Sequence, residues 1–150
     1  MSVPVVGIAG DEAERHISYA IRTAVFVDEQ GVPLDEELDE HDAQATHLLA
    51  RIGGRPVGTL RWRVVPPDTV KIERVAVLRE ARGSGLGRML IEMALQQAAA
   101  AGFSRAVLNA QAVAVEFYRR LGFVVAGEPF DEAGIPHVPM QLDIVLPKTD

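Results

Sequence analysis

The chain has 150 residues, a length that suits one sizeable core, so we expect a single domain over residues 1–150. It contains no cysteine, which excludes disulfides, thiolate nucleophiles and cysteine metal sites. A formal net charge of −6 argues against a nucleic-acid partner and favours a cationic or neutral small substrate. The sequence has neither a membrane-spanning run nor a signal-peptide pattern, so we expect a cytoplasmic protein without membrane association.

The first half of the chain predicts a strand, a helix and a strand meander. Val3–Ile8 is a short apolar run typical of a strand, and Asp11 is a candidate N-cap for a helix that continues to Val27. Gly31–Pro33 ends this helix, and the acidic run Asp35–Asp42 follows it. Three antiparallel strands come next: Thr46–Ile52, Val57–Val65 and Val70–Leu78.

The second half predicts alternating helices and strands. After a glycine-rich loop, apolar residues at helical spacing indicate a helix that Gly102 ends. A strand at Ser104–Ala110, a helix at Ala112–Gly122 and two closing strands, Phe123–Gly127 and Val138–Leu146, follow. This order predicts an α/β fold (α+β in some schemes) with a mixed, mostly antiparallel sheet of six to seven strands flanked by helices.

The glycine-rich loop, RGSGLGR at Arg82–Arg88, is a candidate anion site. Its three glycines let backbone amides approach a ligand, and the following helix adds unpaired N–H groups and the positive end of its dipole. A strand-to-helix turn without a ligand is equally consistent with the loop alone. The spacing matches neither a Walker A loop, which needs GxxxxGK[ST], nor a dinucleotide loop, which needs GxGxxG.

The loop, the strand ERVAVL before it and FYRRLGF near the end together resemble the GNAT superfamily of N-acetyltransferases. The pieces RTAVFVDEQGVP, EELDEHDAQATH, GTLR, LNAQ and GIPH resemble its ElaA/YjcF-like subgroup. The resemblance implies an acetyl-CoA-dependent N-acetyltransferase that acetylates a primary amine of a small molecule or peptide. Because no cysteine can form an acyl-enzyme, we expect direct attack of the amine in a ternary complex.

The resemblance also implies where the co-substrate acetyl-CoA binds. The backbone of Val75 and Val77 would pair with the pantetheine arm like an added strand, and an N–H near Val75 or Ala76 would stabilise the oxyanion. Gln111 stands where many members have an asparagine that contacts the cofactor. The pyrophosphate would bind the amides of Arg82, Gly83, Ser84, Gly85, Leu86, Gly87 and Arg88.

Two residues are candidates for proton transfer. Glu73 could be the base if burial raises its pKa, and strand alternation would place Glu73, Val75 and Val77 on one face. An ion pair of Glu73 with Arg61 or Arg63 is the alternative. Tyr118 stands where the superfamily often has a general acid for the departing thiolate; its alternative role is core packing.

The acceptor side is less defined in the sequence. The acidic run Asp35–Asp42 is typical of solvated surface, and a funnel that attracts a cationic amine is the functional alternative. The histidines have no zinc-site spacing, so we expect no metal. The subgroup resemblance runs through six residues that could line an acceptor pocket, although each could be structural: Arg22, Glu29, Gln30, His47, Arg61 and His137.

Two other functions stay open at this point. One is a non-catalytic regulatory module that binds acyl-CoA, because a fold does not determine a function. The other is an acyltransferase like the acyl-homoserine lactone synthases, whose N-terminal pattern Arg22 and Phe26 resemble; the tryptophan those enzymes usually carry soon afterwards is missing, since Trp62 is the only one. The closing strand Val138–Leu146 could pair with a second copy, so a homodimer is possible.

Overall fold

The computed structural model describes residues 3–146, which form one eight-stranded sheet with helices on its two faces. The strand order is β1-β2-β3-β4-β5-β8-β6, with β7 paired to β8, and among these pairs only β4 and β5 are parallel. This confirms the predicted fold class. The strands are β1 (Pro4–Ile8), β2 (Thr46–Ile52), β3 (Arg55–Val65), β4 (Thr69–Val77), β5 (Arg105–Gln111), β6 (Val124–Val125), β7 (Phe130–Glu132) and β8 (Ile135–Asp143).

Among the strands, β7 is the one that the sequence did not predict. It has three residues, all of them exposed, so it carries no apolar alternation that could mark it. It forms a hairpin with the start of β8, which begins at Ile135 and not at Val138 as predicted. The hairpin turn contains Ala133 at φ 52° and Gly134 at φ 75°.

Four α-helices accompany the sheet, and none in residues 3–146 is long and apolar enough to cross a membrane. Asp11 caps the first helix, since its side chain accepts a 2.8 Å hydrogen bond from the Glu14 N–H. Beyond Arg22 the chain continues as a π-helix over Thr23–Glu29, where the prediction was α-helix; several β-branched residues lower the α-helical propensity there. The α-helices are α1 (Glu12–Arg22), α2 (Leu34–Glu37), α3 (Leu86–Ala100) and α4 (Val115–Arg120).

The sheet separates two hydrophobic clusters. The larger cluster packs under α3 and α4 and includes Leu90, Tyr118 and Phe123. The smaller cluster packs under α1 and the π-helix and includes Val25 and Ala76. Membership of a cluster therefore tells which face of the sheet a strand residue occupies.

A β-bulge in β4 changes the face on which later residues lie. Thr59 pairs with Ala76 while Arg61 pairs with Glu73, so β4 has one residue more than β3 across this interval. Arg74 lies in this interval and has φ 58°, in the left-handed region that a non-glycine residue rarely adopts.

The bulge makes the predicted alternation of β4 wrong. Val75 and Val77 pack against the cluster under α3, whereas Ala76 belongs to the cluster under α1. Glu73 pairs with Arg61 on the α1 side. Glu73 therefore lies on the opposite face from Val75 and Val77, because one inserted residue shifts the period-two pattern.

Two fully buried arginines connect α1 to the sheet. Arg22 and Arg61 are both 0% exposed and share the Asp42 carboxylate, which accepts from Arg22 Nη1 at 2.6 Å and from Arg61 Nη1 at 2.7 Å. Arg22 Nε also donates to Glu37 at 2.7 Å, and Arg61 donates to both oxygens of Asp39 at 2.7 and 2.9 Å. These bonds satisfy charges that would otherwise be costly to bury.

The acidic run is therefore not simply solvated surface. Glu37 and Asp42 are buried and Asp39 is half-buried, and all three are counter-ions of internal arginines. Asp35, Glu36 and Glu40 stay exposed. Through these ion pairs the acidic run is attached to β3 and α1, and it forms one wall of the molecule.

We expect Asp42→Asn to lower the free energy of unfolding by about 3 kcal/mol at neutral pH, since it leaves two buried arginines short of a counter-ion. Urea unfolding measures this. The matched control is Glu40→Gln, because Glu40 is an exposed carboxylate of the same run and makes no ion pair with an arginine or lysine in residues 3–146. The control should change the free energy by less than about 0.5 kcal/mol. Equal losses in both variants would contradict the network.

The pH dependence of the same variant tests the charge on Asp42. Burial acts to raise the pKa of Asp42, but the hydrogen bonds and charges of Arg22 and Arg61 outweigh it and lower the pKa from 3.8 to about 2. The stability from this ionised group is present above pH 3.8 and is lost as the pH falls to about 2. The difference between wild type and Asp42→Asn should therefore shrink across that range; a constant difference would contradict the ion pairs.

Candidate active site

A cavity of about 610 Å³ lies where β4 and β5 part. The two strands pair only from Thr69–Lys71 to Arg105–Val107. Their continuations, Ile72–Val77 and Leu108–Gln111, run on without pairing to each other and contribute to opposite walls of the cavity. The π-helix, α2, α4 and the β7–β8 hairpin contribute the other lining residues.

The cavity reaches both faces of the sheet. On the α3 side it is lined by Val75, Val77 and Tyr118, which contact or belong to the larger cluster. On the α1 side it is lined by Val25 and Ala76, which belong to the smaller cluster. Two reactants could therefore meet in this opening from opposite faces of the sheet.

The predicted anion loop lies at the start of α3, next to this cavity. Gly83 and Gly85 have φ 81° and 82°, so both need the left-handed conformation that glycine permits. The first hydrogen bond at the helix start runs from Met89 N–H to the Gly85 carbonyl at 3.1 Å. The amides of Leu86, Gly87 and Arg88 precede it, so they have no partner within the helix.

Gly87 has a different role from the other two loop glycines. A Cβ added there would lie 3.3 Å from the Phe117 ring, so glycine permits close packing of the loop against α4. Gly83 and Gly85 have open space where a Cβ would be. Gly83 and Gly85 are therefore needed for the backbone conformation of the loop, and Gly87 is needed for its contact with Phe117.

The charged side chains of the loop are directed elsewhere. Arg82 lines the cavity, and its guanidinium donates to the Val77 carbonyl and to Glu29, both at 2.9 Å. Arg88 pairs with Glu92, one turn along α3, at 2.5 Å. Ser84 donates to the Ala81 carbonyl. The groups available to an anion are thus mainly backbone amides.

Tyr118 lies on α4 with its ring packed between aromatic neighbours. The ring centroids of Phe117 and Phe123 lie 5.0 and 5.9 Å away, both edge to face. The residue is 8% exposed and lines the cavity. Burial raises the pKa of Tyr118 to about 12, so its hydroxyl keeps its proton at neutral pH and can donate a hydrogen bond.

Glu73 lines the cavity but is surrounded by cations. Its Oε1 accepts from Arg63 Nε at 2.7 Å and from Arg61 Nε at 3.2 Å, and Lys71 Nζ lies 3.7 Å from Oε2. Burial acts to raise the pKa of Glu73, but the Arg63 hydrogen bond and the charges of Arg61, Arg63 and Lys71 outweigh it, so the pKa is lowered. The expected increase in the pKa of Glu73 is not found. The structure shows the alternative, an ion pair of Glu73 with Arg61 and Arg63.

Three of the six predicted acceptor residues do not reach the cavity. Arg22, His47 and Arg61 are buried in or beside the ion network, with at most 2% exposure. His47 Nε2–H donates to the Asp42 carbonyl at 2.8 Å. Burial lowers the pKa of His47, which keeps the ring neutral. These side chains were predicted as ligands because the subgroup resemblance runs through them; the structure gives them the structural role that was the alternative.

The other three lie at the cavity or near it. Gln30 and His137 line the cavity, and Gln30 accepts a 2.9 Å hydrogen bond from the Gln111 side chain, which lines it too. Glu29 pairs with Arg82 and with Arg79, so it supports the loop and is not a lining residue.

Sequence reasoning missed several lining residues, including Asn109, Arg74 and the hairpin residue Glu132. Asn109 could have been found, since it stands in the LNAQ piece two residues before Gln111. Arg74 enters through the bulge, which has no sequence signal here. Within residues 3–146, no group of three or more histidine, aspartate or glutamate side chains could hold a metal ion.

Comparison with known proteins agrees with this geometry. The acetyltransferase (GNAT) domain family matches residues 9–144. An N-acetyltransferase named YjcF from Bacillus subtilis, itself uncharacterised, is 39% identical over 137 residues, covering 91% of this chain and 97% of the relative. The crystal structure of ElaA from Escherichia coli superposes with a TM-score of 0.81 at 26% identity, over 95% of this chain and 99% of that one.

A second solved structure, an acyl-CoA N-acyltransferase from Pseudomonas aeruginosa, also has a TM-score of 0.81, at 33% identity and over 95% and 99% of the two chains. The family match covers most of the chain, and the curated relative covers nearly its whole length. The chain therefore belongs to the GNAT family of acetyltransferases, in its ElaA/YjcF-like branch.

Proposed function

We propose that this protein transfers the acetyl group of acetyl-CoA to a primary amine of a small molecule or peptide, by direct attack within a ternary complex. The cavity between the parted strands β4 and β5 is the observation that carries the proposal. It opens to both faces of the sheet, so donor and acceptor can be bound at once. The name of the Pseudomonas aeruginosa relative, an acyl-CoA N-acyltransferase, supports the same donor class.

The pantetheine arm would bind along the unpaired edge of β4. Ile72–Val77 has no strand partner on its β5 side, so its backbone groups can bond an extended ligand as an added strand would. Val75 and Val77 would supply these bonds, and a backbone N–H of Val75 or Ala76 would stabilise the oxyanion. The bulge at Arg74 supports this role, because it interrupts regular pairing beside these amides.

The pyrophosphate would bind the loop Arg82–Arg88 through its amides. The two left-handed glycines expose the backbone, and the unpaired N–H groups at the start of α3 add positive partial charge. Gln111 would hydrogen-bond the arm from the β5 side. Tyr118 would donate a hydrogen bond to the sulfur as the thiolate leaves.

The acceptor would enter from the α1 side of the sheet. Gln30 and His137 line the cavity there, and the exposed lining carboxylates of Glu36 and Glu132 favour a cationic amine. Glu73, with its three cationic neighbours, fits a positioning role better than that of a strong base. The cytoplasmic location, the single domain over residues 1–150 and the homodimer stay predictions.

Gly85→Val tests the loop. A β-branched residue at φ 82° strains the backbone that presents the amides, so the affinity for CoA should fall by about 10-fold or more, the equivalent of one charge-assisted hydrogen bond. Isothermal titration measures this. Gly102→Val is the matched control, since Gly102 has φ 88° and open space but lies at the far end of α3. Equal affinity of Gly85→Val and wild type would contradict the loop as the pyrophosphate site.

Thiol release from acetyl-CoA across polyamines, amino acids, aminoglycosides and lysine peptides tests the function itself. We expect release that depends on one amine class, with the acetylated amine found by mass spectrometry. Binding of CoA without release on any amine would favour the alternative, a regulatory acyl-CoA-binding module. Release with an acyl-carrier donor alone would favour an acyltransferase like the acyl-homoserine lactone synthases.

The same assay tests Tyr118. Tyr118→Phe keeps the packed ring and removes the hydroxyl, so kcat should fall by roughly 100-fold, the lower range for a proton donor, while the affinity for CoA is kept. Tyr19→Phe is the control, because Tyr19 is the chain's other tyrosine and does not line the cavity. Unchanged kcat in Tyr118→Phe would exclude its hydroxyl from the reaction.

A further inference from the structure

The imidazole of His137 has a defined orientation and tautomer. Its Nδ1 lies 2.7 Å from the Ile135 carbonyl, and a carbonyl can only accept, so Nδ1 carries the proton. In the neutral ring Nε2 then keeps a lone pair. The ring also stacks on Phe130 across the β7–β8 hairpin, with centroids 5.7 Å apart and planes at 22°. The hairpin therefore holds the ring in one plane.

The position of His137 in the sheet puts it on the acceptor side. Along β8, Val138, Met140 and Leu142 pack in the cluster under α3, so alternation places His137 on the α1 side. It lies opposite Gln111 in the β5–β8 pairing and lines the cavity. Glu73 is on this side too, so these are two proton acceptors that an amine entering from this side could meet.

Glu73 and His137 differ in the hydrogen-bond and ion-pair partners that they already have. Both oxygens of Glu73 have cationic partners within 4 Å, so an amine would have to compete with Arg61, Arg63 and Lys71 for the carboxylate. For His137, no donor or acceptor within residues 3–146 makes a hydrogen bond to Nε2. A free lone pair on a half-buried, oriented imidazole is the better proton acceptor.

We propose that His137 is the general base of the transfer, taking a proton from the acceptor amine through Nε2. The inference rests on the proposed function. The acceptor arrives as an ammonium ion and loses one proton to Nε2, and its nitrogen lone pair attacks the thioester carbon. The carbon–sulfur bond breaks, the nitrogen loses a second proton, and the sulfur leaves with one proton as the thiol. The imidazolium returns the other proton to solvent.

The surrounding charges are suited to such a cycle. The Nδ1–H bond to Ile135 persists in both protonation states, so the ring need not turn during the reaction. The lining carboxylates of Glu36 and Glu132 make no ion pair within residues 3–146, so they can attract the ammonium form of the substrate, whereas Glu37 and Glu73 are already paired with arginines. The charged groups that line the cavity are Glu36 and Glu37 of α2, Lys71, Glu73 and Arg74 of β4, Arg82 of the glycine-rich loop, and Glu132 of β7.

The pH dependence of kcat/KM distinguishes a base from a structural histidine. With the amine that the thiol-release panel identifies, we expect the kcat/KM of wild type to fall as the pH is lowered, because a base that is already protonated cannot take the proton of the amine. His137→Gln should lower kcat by about 100-fold and remove this limb, with unchanged CoA affinity by isothermal titration. Added imidazole should restore part of the activity of His137→Ala. Glu73→Gln should keep the acidic limb.

The control is His16→Gln, since the His16 side chain is 67% exposed on α1 and outside the cavity. Its profile should match that of wild type. If wild type is active and His137→Gln keeps both its kcat and its acidic limb, the inference is overturned and the proposed function stands. If wild type acetylates no amine although it binds CoA, the proposed function fails and the inference with it.

Discussion

The site depends on the place where β4 and β5 stop pairing. β5 is bonded along its whole length to β8, and β4 is bonded to β3 on its other edge, so each strand is supported while the edges between them are free. Leaving buried backbone N–H and C=O groups without hydrogen-bond partners costs free energy. Such an opening is therefore a place where a ligand that carries its own amide groups can bind. The strands thus provide the two walls of a slot through the sheet.

A buried ion network holds the acidic segment beside this slot. Arg22 and Arg61 are buried completely, and the acidic segment closes over them because Asp42 is shared between both guanidinium groups. A buried ion network adds little stability compared with apolar packing, but removing one member is costly. Here it joins Arg22, at the start of the π-helix, to Glu37 of α2, and both of these elements line the slot; it also engages Glu73.

The fold, the position of the glycine-rich loop at the start of α3 and the position of Tyr118 on α4 could be predicted from the sequence. Hydrophobic periodicity, the glycines of the loop and the spacing to Tyr118 are local patterns, and the structure places them as the patterns indicate. The bulge at Arg74 could not be predicted, because it changes the register of one strand against another without a glycine or proline to mark it. That single residue moved Glu73 to the face opposite Val75.

The residues proposed to bind the acceptor were harder to predict from the sequence, for a related reason. Arg22, His47 and Arg61 carry groups that can bind a ligand or serve inside the protein, and only the three-dimensional proximity of Glu37 and Asp42 makes them internal. The hairpin that orients His137 has a three-residue strand of exposed residues, too short for any periodic signal. Long-range ion pairing and short edge strands are both tertiary properties, and local sequence patterns do not encode them.

A crystal structure of the protein with CoA would test the central claim most directly. The account predicts the pantetheine arm in the slot between Ile72–Val77 of β4 and Leu108–Gln111 of β5, with the pyrophosphate at the amides of Arg82–Arg88 and the sulfur near Tyr118. Density for CoA outside this slot, or a slot closed by direct pairing of the two strands, would contradict it.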